Sequence, residues 1–285
     1  MRRVFGGRSC PSQQKGVRAL ASQRSKESFF YFYMPQVPSL LELLQAGVHF
    51  GHRESKWNPK MKEYVFGARN GIHIVDLEKT QIKLKEALDF VRDTTARGGV
   101  ILFLGTKRQA REIVKKYAID CSAPYIAGRW LGGTLTNYGE VMNLVRHYND
   151  LKAKQASGAL AKYTKKEQSN FAKEIADLEN KVGGIKDVVR PPDALFIIDI
   201  MKEKTAVAEA QTRKIPIVAL VDTNVNPDLV AYPIPSNDDA VKTIELMTKL
   251  VAEAVKEGRT IRAQKSIDID KEKLKAVATD APVGV

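Results

Sequence analysis

The 285-residue sequence has only two cysteines, Cys10 and Cys121, far apart and outside any C-x-x-C spacing. That excludes a disulfide framework and a cysteine-rich zinc site, and it fits a reducing compartment. Catalytic signatures are missing too. There is no G-x-S-x-G elbow, no H-E-x-x-H, no G-x-G-x-x-G and no G-x-x-x-x-G-K-[ST]. The four histidines are His49, His52, His73 and His147. His147 lies on a helical arm, His73 in a hairpin strand, and His49 and His52 three apart near a turn, so a core or hydrogen-bonded role suits them better than ligation. No apolar run approaches a membrane span, and the Phe29–Tyr33 run is too short to cross a bilayer. Acids are scarce: 33 Asp and Glu face 46 Lys and Arg, for a net charge of +13. An excess of that size favours polyanionic partners such as nucleic acid or acidic membranes, the plainer reading being a solvated surface.

What is present begins with an uneven charge. Residues 1–33 carry seven Arg and Lys against one acid, Glu27, so the remaining 252 residues hold only +7. Three readings fit this stretch: a disordered basic arm, a mitochondrial transit peptide, or sequence upstream of a true start at Met34. The last is favoured, because organised sequence begins right after Met34.

From there the pattern is α/β. Ser39 caps a short helix, Leu40 to Ala46, closed by Gly47. Asn70-Gly71 between two apolar runs predicts a hairpin. Asp76 caps a helix to about Arg97, stopped by Gly98-Gly99. Apolar runs at Val100–Leu104, Tyr125-Ile126, Ala194–Ile200 and Ile215–Val221 alternate with helices at Gln109–Tyr117 and Glu203–Arg213. Such continuous apolar strands indicate a parallel sheet covered on both faces. Between them, Val141, Leu144, Val145, Tyr148 and Leu151 mark one helical stripe and Phe171, Ile175, Leu178 and Val182 another. Thr164-Lys165-Lys166-Glu167 reads as a capping box at the start of the second. These predict an inserted antiparallel coiled-coil hairpin, about residues 138–182. The final helix is expected from Asp238 to Glu257, closed by Gly258, with a disordered tail from 260 to 285.

Three segments carry candidate chemistry. Lys107 and Arg108, in the turn after the first buried strand, are placed as a phosphate clamp would be. In Arg129-Trp130-Leu131-Gly132-Gly133-Thr134-Leu135-Thr136-Asn137, two readings stand level: Arg and Trp stacking on bases or ribose, or a tight turn with Trp130 in the core. Finally, Asp222 ends a buried strand, Asp238 starts the last helix, and His52 is within reach of both. This is a donor set suited to Zn²⁺ or Mg²⁺, although neither residue type needs a metal in these positions.

Together these segments resemble a known family. Gly47-Val48-His49-Phe50-Gly51-His52, Trp57-Asn58-Pro59-Lys60-Met61, Phe66-Gly67-Ala68-Arg69-Asn70-Gly71-Ile72-His73-Ile74, Gly105-Thr106-Lys107, Arg129 to Asn137, Gly183-Gly184-Ile185-Lys186-Asp187, Val221-Asp222-Thr223-Asn224 and Pro233 to Ala240 are similar, in order, to the bacterial-type "S-two" family of small-subunit ribosomal proteins. The likeness covers roughly residues 38–259. It implies a flavodoxin-like doubly wound sheet with a helical hairpin and a non-catalytic role on small-subunit rRNA. It also implies contacts with neighbouring small-subunit proteins, including docking of the "S-one" protein, and no required cofactor. Localisation would be cytoplasmic, on the ribosome, or mitochondrial if residues 1–33 are a transit peptide. Arg53, Lys56, Lys60, Arg69, Lys107, Arg108, Arg129 and Lys186 are the expected phosphate contacts. The rival reading is an enzyme holding a nucleotide or sugar phosphate in the doubly wound crevice, and the missing glycine fingerprint argues against it.

Overall fold

The computed structural model describes residues 37–279. The readings made of residues 1–33 and of the last six residues lie outside that range. At the start of the described chain, α1 (Leu40–Gln45) carries a capping box: Ser39 Oγ accepts from the Glu42 N–H while the Glu42 carboxylate accepts from the Ser39 N–H. Three short strands follow, β1 (Phe50–Arg53), β2 (Val65–Arg69) and β3 (Ile72–Val75). They form an antiparallel sheet in the order β1-β3-β2. Asn70 and Gly71 between β2 and β3 have φ of 55° and 74°, the left-handed pair that a two-residue hairpin turn requires. The Asp76 carboxylate then accepts from the N–H groups of Glu78 and Lys79 and starts α2 (Leu77–Ala96).

The remainder is the doubly wound part. Strands β4 (Ile101–Leu104), β5 (Tyr125–Ile126), β6 (Ala194–Ile198), β7 (Ile217–Val221) and β8 (Tyr232–Pro235) make a parallel sheet ordered β5-β4-β6-β7-β8. Leu104 lies opposite Ile126 on one side and Ile197 on the other, and Leu220 opposite Ile198 and Ile234. The chain moves outward from β4 to β5 and then returns to β6. This creates the topological switch point of a flavodoxin-like fold beside the carboxyl end of β4.

Alternation along the strands divides the core in two. Phe103, Phe196, Ile198, Val218 and Leu220 face α2, α3 (Arg111–Asp120) and α7 (Val241–Thr279), where Leu88, Val114 and Val251 meet them. Phe103 and Phe196 meet edge to face, with ring centroids 5.4 Å apart. Leu102, Leu104, Leu195, Ile197 and Ala219 belong to the second core. There they join α4 (Tyr138–Ala156), α5 (Lys165–Val182) and α6 (Lys204–Thr212) through Val145, Tyr148, Ile175, Leu178, Val182 and Val207. The two amphipathic stripes therefore bury against each other and against the sheet. Thr164 caps α5 with a full capping box, an arrangement worth about 1 kcal/mol.

Sequence pattern misplaced several features. Strand β8 escapes it because Pro233 and Pro235 cannot donate to a ladder. Prolines are tolerated at a sheet edge, and among the described residues β8 pairs only with β7. The last helix begins at Val241, so Asp238 precedes it. Asn237 Oδ1 instead accepts from the N–H groups of Asp239 and Ala240. Nor does Gly258 stop that helix, which continues to Thr279, where a disordered tail is expected from composition. Gly258 is there for close packing: a Cβ would collide with Thr95 Oγ1 and the Arg92 carbonyl on α2.

Beside that contact, the Glu257 carboxylate is partly buried. Its Oε2 has no hydrogen-bond partner among the described residues, and burial pushes its pKa up to about 7. An acid with a raised folded pKa binds protons that the unfolded chain has already released. Stability therefore falls as pH rises from about 4.3 through about 7. Glu257→Gln should stabilise the protein at pH 8 by about 1 kcal/mol, a value discounted for solvent screening, and should have no such effect at pH 4. Urea unfolding at the two pH values checks this.

Candidate functional site

The strand ends at the switch point bring together five charged side chains that are far apart in sequence. Lys107 follows β4, Asp199 follows β6, Asp222 follows β7, and Asp238 and Asp239 follow β8. Asp199 is held at a φ of 66°. Lys107 Nζ lies 2.6 Å from Asp239 Oδ1, 2.9 Å from Asp238 Oδ1 and 3.4 Å from Asp199 Oδ2. Burial alone would lower the lysine pKa, but hydrogen bonds and charge from these carboxylates outweigh it and raise the value. Lys107 is therefore not presented to solvent as a phosphate clamp would be; it is the counter-ion of a carboxylate cluster. The turn is further braced from Thr106, whose hydroxyl donates to the buried Glu203 carboxylate and whose carbonyl accepts from Arg111 Nε and Lys202 Nζ.

The antiparallel sheet contributes His52 to the same edge. Its backbone N–H donates to Asp222 Oδ1 at 3.2 Å and to Thr223 Oγ1 at 2.9 Å. Its Nδ1 lies 3.0 Å from Asp222 Oδ2 and its Nε2 3.5 Å from Asp239 Oδ2. The hydrogen bond to Asp222 raises the imidazole pKa against the effect of burial. Asp222 and Asp238 are 1% and 2% exposed. Burial, then the neighbouring Asp199 and Asp222 charges, push Asp238 up to about 6, while Lys107 pulls it back. One ligand atom from each of His52, Asp222 and Asp238 lies within 4.8 Å of the others. An imidazole and two carboxylates at that spacing are a donor set that suits Zn²⁺ or Mg²⁺.

A second constellation, beside β5, was not legible in sequence. Glu209 on α6 is buried, and it organises the Arg129–Asn137 loop. Its Oε1 accepts from Trp130 Nε1 at 3.1 Å and from Gly133 N at 2.8 Å. Its Oε2 accepts from Leu135 N at 2.9 Å, Thr136 N at 3.2 Å and Thr136 Oγ1 at 3.3 Å. Burial alone would raise the carboxyl pKa, but these donors prevail and hold it below the usual range. Trp130 is thus a core residue, 7% exposed, and the base-stacking alternative for it falls. The only hint in sequence is an acid at a position of α6 flanked by the buried Ala206, Val207 and Ala210.

The other expected phosphate contacts are exposed: Arg53, Lys56, Lys60, Arg69, Arg108, Arg129 and Lys186. Lys60 pairs with the exposed Asp228 at 2.5 Å, and the other six form no ion pair among the described residues. Arg108 and Arg129 follow β4 and β5. The Arg53–Lys60 segment is tied to the same edge, because the Asn58 N–H donates to the Thr223 carbonyl. An apolar groove of about 740 Å³ lies elsewhere, on the antiparallel sheet, lined by Leu40, Leu44, Phe50, Phe66 and Ile72.

The family model described as ribosomal protein S2 matches residues 43–258, a stretch that includes both constellations. The chain belongs to the ribosomal protein S2 family. A relative named small ribosomal subunit protein uS2, from Wolinella succinogenes, is 46% identical over 223 residues, covering 78% of this chain and 82% of the relative. The α/β layout and the parallel sheet suit an S2-family member. The S2 match ends at 258, so the part of α7 from Arg259 onward lies outside it.

Proposed function

We propose that this S2-family chain is a non-catalytic structural constituent of the small ribosomal subunit, holding small-subunit rRNA and neighbouring proteins in place. The similarity to a small-subunit protein over most of both chains carries this reading. Exposed cations support it, among them Arg108, Arg129 and the Arg53–Lys60 segment at the carboxyl edge of the sheet. Arg53, Lys56, Lys60, Arg69, Arg108, Arg129 and Lys186 would neutralise phosphates, while the rigid loop held by Glu209 supplies shape. Lys107 has a different part, as the fixed counter-ion beneath that surface.

Two finer readings belong to the same proposal. His52, Asp222 and Asp238 would hold one divalent cation, which would tie the antiparallel sheet to the parallel one as a structural link. The apolar groove on the antiparallel sheet is the surface suited to docking the S-one protein, since exposed Phe50, Phe66 and Leu44 stay unburied without a partner. The rival enzyme reading has little support, because the crevice at the switch point is filled by Lys107 and its carboxylates rather than open to a phosphate. Co-sedimentation with small subunits, across a salt series, tests the proposal.

A further inference from the structure

The opposite, amino-terminal edge of the parallel sheet carries a basic surface that the functional reading leaves unused. It is built around the Gly98-Gly99 turn between α2 and β4, where Gly98 has a φ of 85°. Two grooves meet at Gly99. One, about 380 Å³, is lined by Thr95, Val100, Arg259, Arg262 and Ser266. The other, about 240 Å³, is lined by Phe90, Arg97, Arg190 and Asp193. Four exposed guanidinium groups thus surround one glycine turn, and Asp193 is the single acid lining either groove.

Backbone carbonyls aim two of these arginines. Arg190 Nη2 donates to the Gly98 carbonyl at 2.6 Å and pairs with Asp193 at 3.2 Å. Arg259 donates to the Cys121 carbonyl at 2.6 Å and to the Ser122 carbonyl at 3.1 Å. A carbonyl orients a guanidinium without cancelling its charge, and the planar group keeps further donors for a second acceptor. Arg97, Arg259 and Arg262 form no ion pair among the described residues. Arg259 and Arg262 are one helical turn apart on α7, so they share a face. Both lie in the part of α7 beyond the family match, where the helix continues past Gly258. The close α2–α7 approach at Gly258 brings that face against the turn: a Cβ on Gly98 would meet Arg262.

We propose that Arg97, Arg190, Arg259 and Arg262 form a second RNA contact that takes the phosphodiester backbone of a structured RNA across the Gly98-Gly99 turn. Gly98 leaves room for the Arg262 guanidinium over the turn, and convergent guanidinium groups match phosphate oxygens geometrically. This inference rests on the reading that the chain binds rRNA, and it adds a contact on the edge opposite the carboxylate cluster.

The test compares the full chain with R97Q/R262Q and with R97Q/R259Q/R262Q, measuring affinity for small-subunit rRNA from about 50 to 300 mM salt. Each lost phosphate contact should flatten the log–log salt slope by about 0.7–0.9. The double variant should therefore lose roughly two contacts and bind at least about tenfold more weakly at low salt. The corresponding lysine variants keep the charge and should recover most of the slope, which separates loss of charge from loss of fold. R108Q/R129Q on the carboxyl edge is the reference. If that variant weakens binding while the amino-edge variants bind like wild type, this second contact is wrong and the rRNA reading stands. If the wild-type chain binds rRNA with no salt dependence, both fall. Loss of binding to anionic lipid vesicles but not to RNA would also overturn the assignment.

Discussion

Glu209→Ala is expected to destabilise the protein by about 3–5 kcal/mol, the usual cost of removing one member of a buried charged hydrogen-bond network. The reason is the number of donors it would strand. Trp130 Nε1 and the N–H groups of Gly133, Leu135 and Thr136 all converge on one carboxylate. A methyl group leaves the buried Trp130 and Leu135 donors without an acceptor, at about 1–3 kcal/mol apiece before relaxation, and frees the partly buried Gly133 and exposed Thr136 ends of the loop. Glu209→Gln should fall between, because its amide must turn an NH₂ toward at least one N–H. The pH dependence has a definite sign. The folded pKa is held below the unfolded value, so this stabilisation is full above about pH 4.3 and is lost as pH falls through the folded pKa. Denaturant melts of wild type and variants from pH 7 downward should converge in acid. A variant as stable as wild type at pH 7 would show that the loop does not depend on Glu209.

Saturating Zn²⁺ or Mg²⁺ is the second large effect expected. A ligand that binds only the folded state at a hundred times its Kd adds about 2.7 kcal/mol. For a chain of this size that corresponds to roughly 5–10 °C in Tm. His52→Gln should remove most of the response, because it deletes the one nitrogen donor while the backbone N–H bonds to Asp222 and Thr223 keep β1 in place. Lys107 should oppose the cation, since its ammonium already lies 2.9 Å from the Asp238 carboxylate. In chelator, Lys107→Met should be less stable than wild type, with Asp199, Asp238 and Asp239 left facing one another. With the ion present the variant should bind more tightly and recover. Calorimetric titration that finds no stoichiometric ion in wild type or in Lys107→Met would remove the metal from the account.

Much of the fold was legible because its signals are local. Ser39, Thr164 and Asp76 mark helix starts through single hydrogen bonds, Asn70-Gly71 marks a turn through backbone sterics, and β4, β6 and β7 are continuously apolar because both faces are covered. The errors come from tertiary contacts. Gly258 reads as a helix stop until α2 is seen pressed against it, and Pro233 and Pro235 hide a strand that only an edge position permits. The carboxyl edge was half legible. His52, Asp222 and Asp238 do converge, since strand ends collect on one edge, but the withdrawal of Lys107 from solvent depends on three carboxylates that follow other strands. Glu209 was missed because nothing local distinguishes an acid that caps a distant loop from one that faces water.

The most direct test of the central claim is a sucrose gradient of the tagged chain expressed at its natural level. The expected result is one copy per small subunit, retained through moderate salt and released steeply as salt rises, with Arg108 and Arg129 variants released earlier. A chain that stays at the top of the gradient in low salt, with intact subunits present, would contradict it.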